Sequence, residues 1–568
     1  MNFLNRWVKR RWQVLLLLIL VVIVLGRNLN PTSHTMFLFH DQTQAARVAE
    51  YKVAINNGQI PPKIAPHLSF NLGYPIFTYY APAAYQITHA LGLAGFSIPG
   101  TIQLSFLLVI IVGFVGIYLF LTRYFSAFSS LTGAIFYVTT LYLPLSIFVR
   151  GNLAEAWLIG LLPWGFYAVL PVKKLESITL ALKVIVLILL LTSHNALSLF
   201  ALLYLGIFLL TTRASKTQWL ILGLGILGSM YFYLPFIDKN SLIWAREIAL
   251  KTNFNDHFLC INQLWSGLWG FGGSAPGCIA DGMSFKLGKL QLLLLILVPV
   301  SIVLRGYYKK KKDILFFHGE TIFFVVVTII FLFLTTSWSK IIWNTNTILP
   351  LMQYPWRFLA FTCIGFAWCA SYCMELIPKI YAKVLGTILI ALLLIFNGKY
   401  FYGQYVLKSQ YTNDFLSAEY INTKVAYLVP EYLPKTVNYD YWRSFEPTSE
   451  TSILPVFSQP VEVTAGKYEI LQNKPFKKLV KVQPQPQLII NVHYLPNWVI
   501  SVNGIKFIPK KLEIDSLGRP FLPITKPSIV AISYTQTSFE TIGLICLALS
   551  LGGAILLPYS IYAKRKRN

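Results

Sequence analysis

The chain is short of charge, and shortest of acid. Of its 568 residues only 12% are charged, about half the share usual in a soluble domain. Asp and Glu number 22 against 48 Lys and Arg, a formal net charge of +26. Six cysteines are too few for a disulfide framework. The chain has no Walker loop, no nucleotide fingerprint after a strand, no HExxH and no CxxC pair, and the lack of any ATP-binding signature argues against a primary pump. What it has in quantity is apolar sequence, 55% of all residues. A soluble core does not require so much, and a bilayer does.

On a soluble protein the surplus of +26 would point to nucleic acid. Here the basic residues fall in short clusters between apolar runs, so they read as topology signals and nucleic acid is not an expected partner. The first run, Trp12 to Gly26, follows the basic segment NRWVKRR, and the following RNLNPTSH offers no small-residue cleavage site, so an uncleaved anchor is expected. Further candidate spans lie near 101–121, 128–148, 153–171, 177–193, 195–212, 217–236, 288–305, 320–337, 357–377, 383–397 and 539–558. The expectation is an α-helical polytopic protein of the plasma membrane with about twelve spans and both termini cytoplasmic. Counted from an inside start, the inner connections are TRYFSAF, PVKKLES, TTRASKTQ, RGYYKKKKD, PKIYAK and the tail AKRKRN, and all but the first are clearly basic, as the positive-inside rule requires.

The organisation predicted is a membrane core over 1–397, an outer domain over 398–538, and a last span with a basic tail over 539–568. The core carries outer loops at 28–100 and 237–287. In the first loop, Asp41 and Gln44 have capping-box spacing, and Gly58 with Pro61-Pro62 closes the helix. Ala45, Val48, Tyr51 and Ile55 recur at helical spacing with Arg47, Glu50 and Lys52 elsewhere on the wheel, the pattern of an amphipathic helix lying along the outer membrane surface. The second loop holds Trp244, Trp265, Trp269 and a Gly-rich turn and reads as a functional loop or lid. Its Cys260 and Cys278 can oxidise to a disulfide or stay apart, whereas Cys363, Cys369 and Cys373 fall in one span and read as packing residues. From about Val456 the pattern turns to short alternating runs with Asn503-Gly504 and proline turns, a small β-sandwich.

Candidate chemistry gathers at the outer ends of spans. Asp41, next to His40, either caps its helix or serves as a general base or metal ligand. Arg150 and Glu155 mark an interface, pair with each other, or bind substrate. His194, in LLLTSHNALSLF, is an ionisable group in nearly continuous apolar sequence, where such groups usually face a cavity. Arg357, after Pro355-Trp356, either snorkels or clamps a phosphate.

The segments HDQTQAARVAEYKVAINNGQIPP, NLGYPIFTYYAP, RGNLAEA, SHN, QYPWRFL and EYLPKTV resemble the bacterial membrane family labelled 6-pyruvoyl-tetrahydropterin synthase-related. YLPNWVISVNG resembles the C-terminal part of YfhO-like membrane proteins. No zinc-binding histidine triad or pterin-synthase fold accompanies the label; the architecture is similar to the GT-C membrane glycosyltransferases. That resemblance implies sugar transfer from a polyprenyl-phosphate carrier to an envelope glycan, lipid or protein on the outer face, with membrane lipids and the lipid-linked sugar as partners. It implies Asp41 as the catalytic acid-loop residue, accepting the acceptor proton or holding a divalent cation. Arg150 and Arg357 would face the phosphate, and His40 and His194 would shape the acceptor site or bind metal. Asp41 is followed by Gln42, where many of these enzymes carry a second acid. A flippase for a lipid-linked substrate and a non-catalytic envelope scaffold are the alternatives. The polar groups sit outside rather than at the midplane, and no repeated halves are seen.

Overall fold

The computed structural model describes residues 2–172, 176–308, 318–405, 414–445, 455–507 and 512–567, with side chains omitted at 2–11, 303–308, 318 and 559–567. The clusters PVKKLES, RGYYKKKKD and AKRKRN lie partly outside the described residues, and the side chains of NRWVKRR are among those omitted.

Among the described residues, five helices are long and apolar enough to cross a membrane: Ile98–Leu121, Lys216–Leu242, Pro355–Glu375, Lys379–Tyr400 and Ser538–Pro558. Ala127–Val138 and Tyr142–Val149, bent by 42°, add a sixth if they form one span. The apolar helices Ser177–Leu191 and Leu197–Thr211 are shorter, and the apolar stretches Trp12–Leu25, Lys289–Ile302 and Gly319–Thr335 belong to the longer helices Asn2–Leu25, Lys289–Tyr308 and His318–Thr335. A 15-residue helix such as Ser177–Leu191 rises about 22 Å against a hydrocarbon core of about 30 Å. Helix length therefore does not establish the expected dozen spans. Local chemistry explains the end of Ser177–Leu191. The hydroxyls of Ser193 and Ser198 both donate to the Leu190 carbonyl, at 2.7 and 2.8 Å, completing the last turn of Ser177–Leu191 and releasing a loop that carries His194.

The bent pair ends in the turn Arg150-Gly151-Asn152. Thr139 and Thr140 bond back to the Ile135 and Phe136 carbonyls, and Pro144 follows before a π-helical turn at Leu145–Val149, so the helix bends where its ladder is interrupted. Gly151 has φ 64° and the Phe39 ring against it; a Cβ there would lie 2.1 Å from the ring, so only glycine fits. Asn152 accepts from Glu155 N at 3.0 Å and starts Leu153–Ala168.

The first outer segment departs from expectation. Its helix runs Gln44–Asn56 with Thr43 at the N-cap and no side-chain cap; Asp41 lies before it, and the capping box is not formed. Arg47 and Glu50, expected on the solvated face, are buried with Gln44, Ala45, Val48 and Tyr51. The helix is packed into the protein rather than laid along a surface, because each buried charge has a partner here. Glu50 takes His67 Nδ1 and the His67 N–H, both at 2.8 Å, and Arg47 meets Asp41. In the second outer segment Cys260 and Cys278 are joined as a disulfide. Cys363 and Cys369 are buried and Cys373 half-buried, consistent with packing roles.

The outer β region holds two antiparallel sheets. One orders Val461–Val463, Gln485–Ile490, Pro520–Ile524 and Glu513–Ile514; the other orders Tyr468–Lys474, Lys477–Val482, Ser528–Tyr534, Trp498–Val502 and Ile505–Lys506. Leu488, Ile490, Leu522 and Ile524 of the first sheet share one apolar core with Val480, Val482, Ile500, Val530 and Ile532 of the second, so the pair is a sandwich. Ile64 of the first outer segment is part of that core. The first outer segment thus plugs into the β region. Ser69 Oγ contacts His493 Nε2 at 2.8 Å, the His493 N–H donates to the Leu72 carbonyl at 2.7 Å, and Trp442 donates to Ser69 Oγ at 3.2 Å.

Where the sandwich meets the membrane helices, Lys239 and Glu540 form an ion pair at 2.7 Å with both side chains 2% exposed. Glu540 also accepts from Asn497 Nδ2 and Thr537 N. Glu540→Ala should cost about 3–5 kcal/mol by stranding Lys239, read as a lower Tm by tryptophan fluorescence in detergent. K239M/E540L should recover much of the loss; an unchanged Tm for Glu540→Ala would refute this role.

Candidate active site

Three chain segments build the polar centre. The backbone of His40 and Asp41 pairs with the turn after the bent helix, His40 N to Val149 O at 2.8 Å and Asp41 N to Arg150 O at 3.0 Å. Asp41 accepts from Thr43 Oγ1 at 2.7 Å and Gln44 Nε2 at 2.6 Å and faces Arg47 Nη2 at 3.5 Å. Arg47 lies 5.0 Å over the Tyr80 ring and donates to Tyr85 Oη at 3.4 Å, while Tyr85 donates to Gln44 Oε1 at 2.8 Å. Behind them Arg150 pairs with Glu155 at 2.5 Å, and Tyr142 donates to the other Glu155 oxygen. The Arg150 guanidinium stacks 4.4 Å over Trp356.

Next to Trp356, Arg357 is differently placed. Its Nη1 donates to the Met352 carbonyl at 2.8 Å and its face lies over Tyr354 at 4.9 Å. Its buried Nε has no partner, and among the described residues no carboxylate pairs with it. It lines a cavity of about 430 Å³ together with His194, Asn195, Tyr80, Glu431 and Tyr432. The remaining wall is largely aliphatic and aromatic, including Leu199, Phe200, Phe232 and Phe236, and Ile237, Ile348 and Leu351 at its rim are exposed. A hollow with an apolar body and a few convergent polar groups suits an amphiphilic ligand. His194 is 8% exposed; its Nδ1 accepts from Leu197 N at 3.3 Å, leaving the proton of the neutral ring on Nε2.

Of the residues singled out from sequence, His194 and Arg357 line this cavity, and Asp41, Arg150 and Glu155 are not part of its wall. Glu155 is fully buried as the counter-ion of Arg150. His40 is exposed and stands apart, near Gly273 of the Gly-rich turn. The donor set of Asp41 and His40 does not fit a divalent cation. Both Asp41 oxygens are already engaged, one beside a guanidinium, and among the described residues no group of three or more His, Cys, Asp or Glu is placed to hold a metal.

Glu431 is the residue that sequence reasoning missed. It sits in the turn Pro430–Tyr432, far along the chain from the spans, and reaches the cavity because that turn is clamped to the first outer segment. Tyr432 stacks on Tyr79 at 6.2 Å and meets the Tyr80 edge at 6.2 Å. The Tyr432 N–H donates to Tyr74 Oη at 3.0 Å, and Tyr74 donates to the Val429 carbonyl. Among the described residues the half-buried Glu431 has no ion-pair partner. Burial holds its carboxyl above the ordinary 4.5, with Arg47 and Arg357 opposing and Asp41 adding to the rise. The signal in the sequence was the Pro-flanked EYLPKTV, an acid in an otherwise aromatic turn.

No family model and no curated protein matches the chain. Among solved structures, the cryo-EM structure of the arabinofuranosyltransferase AftD from Mycobacteria is similar at TM-score 0.41 and 14% identity, over 69% of this chain and 26% of that one. The chain thus spans about a quarter of that protein's length. At this level the likeness says nothing of residues or activity.

Tyr74→Phe should cost about 1–3 kcal/mol, because it strips the partner from the Val429 carbonyl in a buried turn. The expected readout is a lower unfolding midpoint together with faster proteolysis within 425–445; a midpoint equal to wild type would show that the clamp does not hold the turn.

Proposed function

We propose that the chain is a membrane glycosyltransferase of GT-C type that transfers a sugar from a polyprenyl-phosphate donor to an acceptor hydroxyl at the outer face. The observation that supports it is that one largely apolar cavity holds both Arg357 and Glu431, which among the described residues have no acidic partner and no cationic partner respectively. The acceptor oxygen attacks the anomeric carbon and its proton passes to the Glu431 carboxylate. The bond from that carbon to the phosphate oxygen breaks, configuration inverts, and polyprenyl phosphate leaves with the electron pair. Arg357 supplies a fixed positive charge for the developing anion, His194 Nε2 offers a hydrogen bond, and the apolar wall takes the prenyl chain.

Glu431 is the better base of the two carboxyls. Both Asp41 oxygens are occupied by Thr43, Gln44 and Arg47 and lie outside the cavity wall, and its part is to hold Arg47 beside Tyr80. The resemblance assigns the base to Asp41 instead, and kinetics separate the two. Purified protein supplied with polyprenyl-phosphate-linked sugars should release polyprenyl phosphate. Because burial raises the Glu431 ionisation above 4.5, kcat/KM should climb as pH rises through that raised value, since the working form is the carboxylate. Glu431→Gln should lower kcat by at least about 100-fold and abolish that acidic limb, while Asp41→Asn should retain the limb. Loss of the limb in Asp41→Asn with its retention in Glu431→Gln would return the base to Asp41. Absence of release with any donor, alongside transport in liposomes, would favour a flippase.

A further inference from the structure

A second hollow lies against the first outer segment and shares no wall residue with the cavity of Arg357. Its upper part, about 140 Å³, is walled by Asn57, Gln59, Lys63, Tyr534, Gln536 and Glu540, among others. Its lower part, about 360 Å³, runs between the helices Ser177–Leu191, Lys216–Lys239 and Ser538–Arg567 and is lined by Ile185, Ile188, Leu189, Leu547 and Leu551, with Gln86 at one edge. The two share Ile60, Pro61, Tyr231 and Leu544, so they form one continuous groove with a polar head and an apolar stem. The stem descends from the outer end of each helix. Glu540 opens the Ser538 helix and Lys239 closes the Lys216 helix, and the lining leucines lie further in.

The head is built for an anion. Lys63 is 6% exposed and Gln59 is 8% exposed. Gln59 spends its oxygen on the Lys63 and Ile64 N–H groups, at 2.7 and 3.0 Å, and this fixes its amide nitrogen, which is buried without any partner. Among the described residues the Lys63 ammonium likewise has no hydrogen-bond or ion-pair partner. The neighbouring carboxylate, Glu540, belongs to Lys239 at 2.7 Å and to Asn497 and Thr537, so the head retains one uncompensated positive charge. Burial pushes the Lys63 amine down to about 8, with Glu540 raising it and Lys239 lowering it; it is still a cation at neutral pH. A cation kept this deep without a counter-ion is costly, and an anion entering the head would remove the cost. Two donors on the wall of one head, above an apolar stem, match a phosphate with an acyl chain attached.

We propose that this groove is a binding site for an anionic phospholipid, its phosphate on Lys63 and Gln59 Nε2 and one chain between the three helices. The site is independent of the glycosyl-transfer reading and shares no wall residue with the Arg357 cavity.

Native mass spectrometry of the full chain in detergent, titrated with phosphatidylglycerol, phosphatidylcholine or glycerol 3-phosphate, tests it. Wild type should hold phosphatidylglycerol in preference to phosphatidylcholine and should not hold glycerol 3-phosphate. Lys63→Met removes the charge and keeps the stem of the side chain. Gln59→Glu keeps both backbone hydrogen bonds and places an anion beside Lys63. Each should weaken phosphatidylglycerol binding about tenfold or more, as loss of a charged hydrogen bond does. Leu551→Trp, which fills the stem without touching the head, should weaken it as well. Unchanged binding in both Lys63→Met and Gln59→Glu would overturn the proposal. So would equal retention of phosphatidylcholine, or binding of glycerol 3-phosphate as tight as that of the lipid, which would make the head an anion site needing no chain.

Discussion

Tyr79 and Tyr80 of the first outer segment hold the Pro430–Tyr432 turn against the membrane core, and most of the outer architecture follows from that contact. Tyr79 stacks on Tyr432, donates its hydroxyl to the Lys239 carbonyl at 2.9 Å, and offers its own carbonyl to Asn195 at 2.7 Å. One residue therefore ties together the outer turn, the end of a long helix and the His194 loop. Tyr80 faces Arg47 on one side and the cavity on the other. Aromatic rings suit this work because they bury large areas with few rotatable bonds and still carry a polar tip. Without this contact, Glu431 would belong to a separate outer domain and the cavity would lose its carboxylate.

Scarcity of acid gives the charge arrangement its logic. With few carboxylates available, those at depth are matched to basic groups: buried Glu155 with Arg150, Glu540 with Lys239 and Glu50 with the His67 imidazole, and half-buried Asp41 with Arg47. Each such pair lets a loop or helix end enter a low-dielectric region that a lone charge would not tolerate. Against this background Arg357, Glu431 and Lys63 stand out. Among the described residues none of the three has an ion-pair partner; all three are at least half-buried and line hollows. A charge left unpaired at such depth is held where solvent or a ligand can reach it, which separates binding groups from bracing ones.

Much of this was legible in the sequence, and the failures have physical causes. Alternating runs after Val456 and the turn at Asn503-Gly504 announced the sandwich, because strand period and turn residues are local properties. His194 and Arg357 could be picked out because each interrupts apolar sequence. The capping box at Asp41 misled, since its spacing is the same whether the acid caps a helix or precedes it, and the backbone pairing with Arg150 decided the matter. Arg47 and Glu50 were assigned to water because a helical wheel shows where polar residues lie but not whether another segment brings them partners. The count of about twelve spans came from apolar runs and the basic connections between them; helix length alone does not reach it, since a helix such as Ser177–Leu191 ends where Ser193 and Ser198 bond back to the Leu190 carbonyl.

The sequence by itself determined the class of protein. Its apolar content and the spacing of its runs require a bilayer-like surrounding, and its short alternating segments require sheets. Tertiary structure alone decided which charges are counter-ions and which face a cavity. That distinction depends on contacts between residues hundreds of positions apart, such as Tyr74 with Tyr432 and Lys239 with Glu540. Local periodicity carries no information about such contacts; packing and the cost of an unpaired buried charge select them.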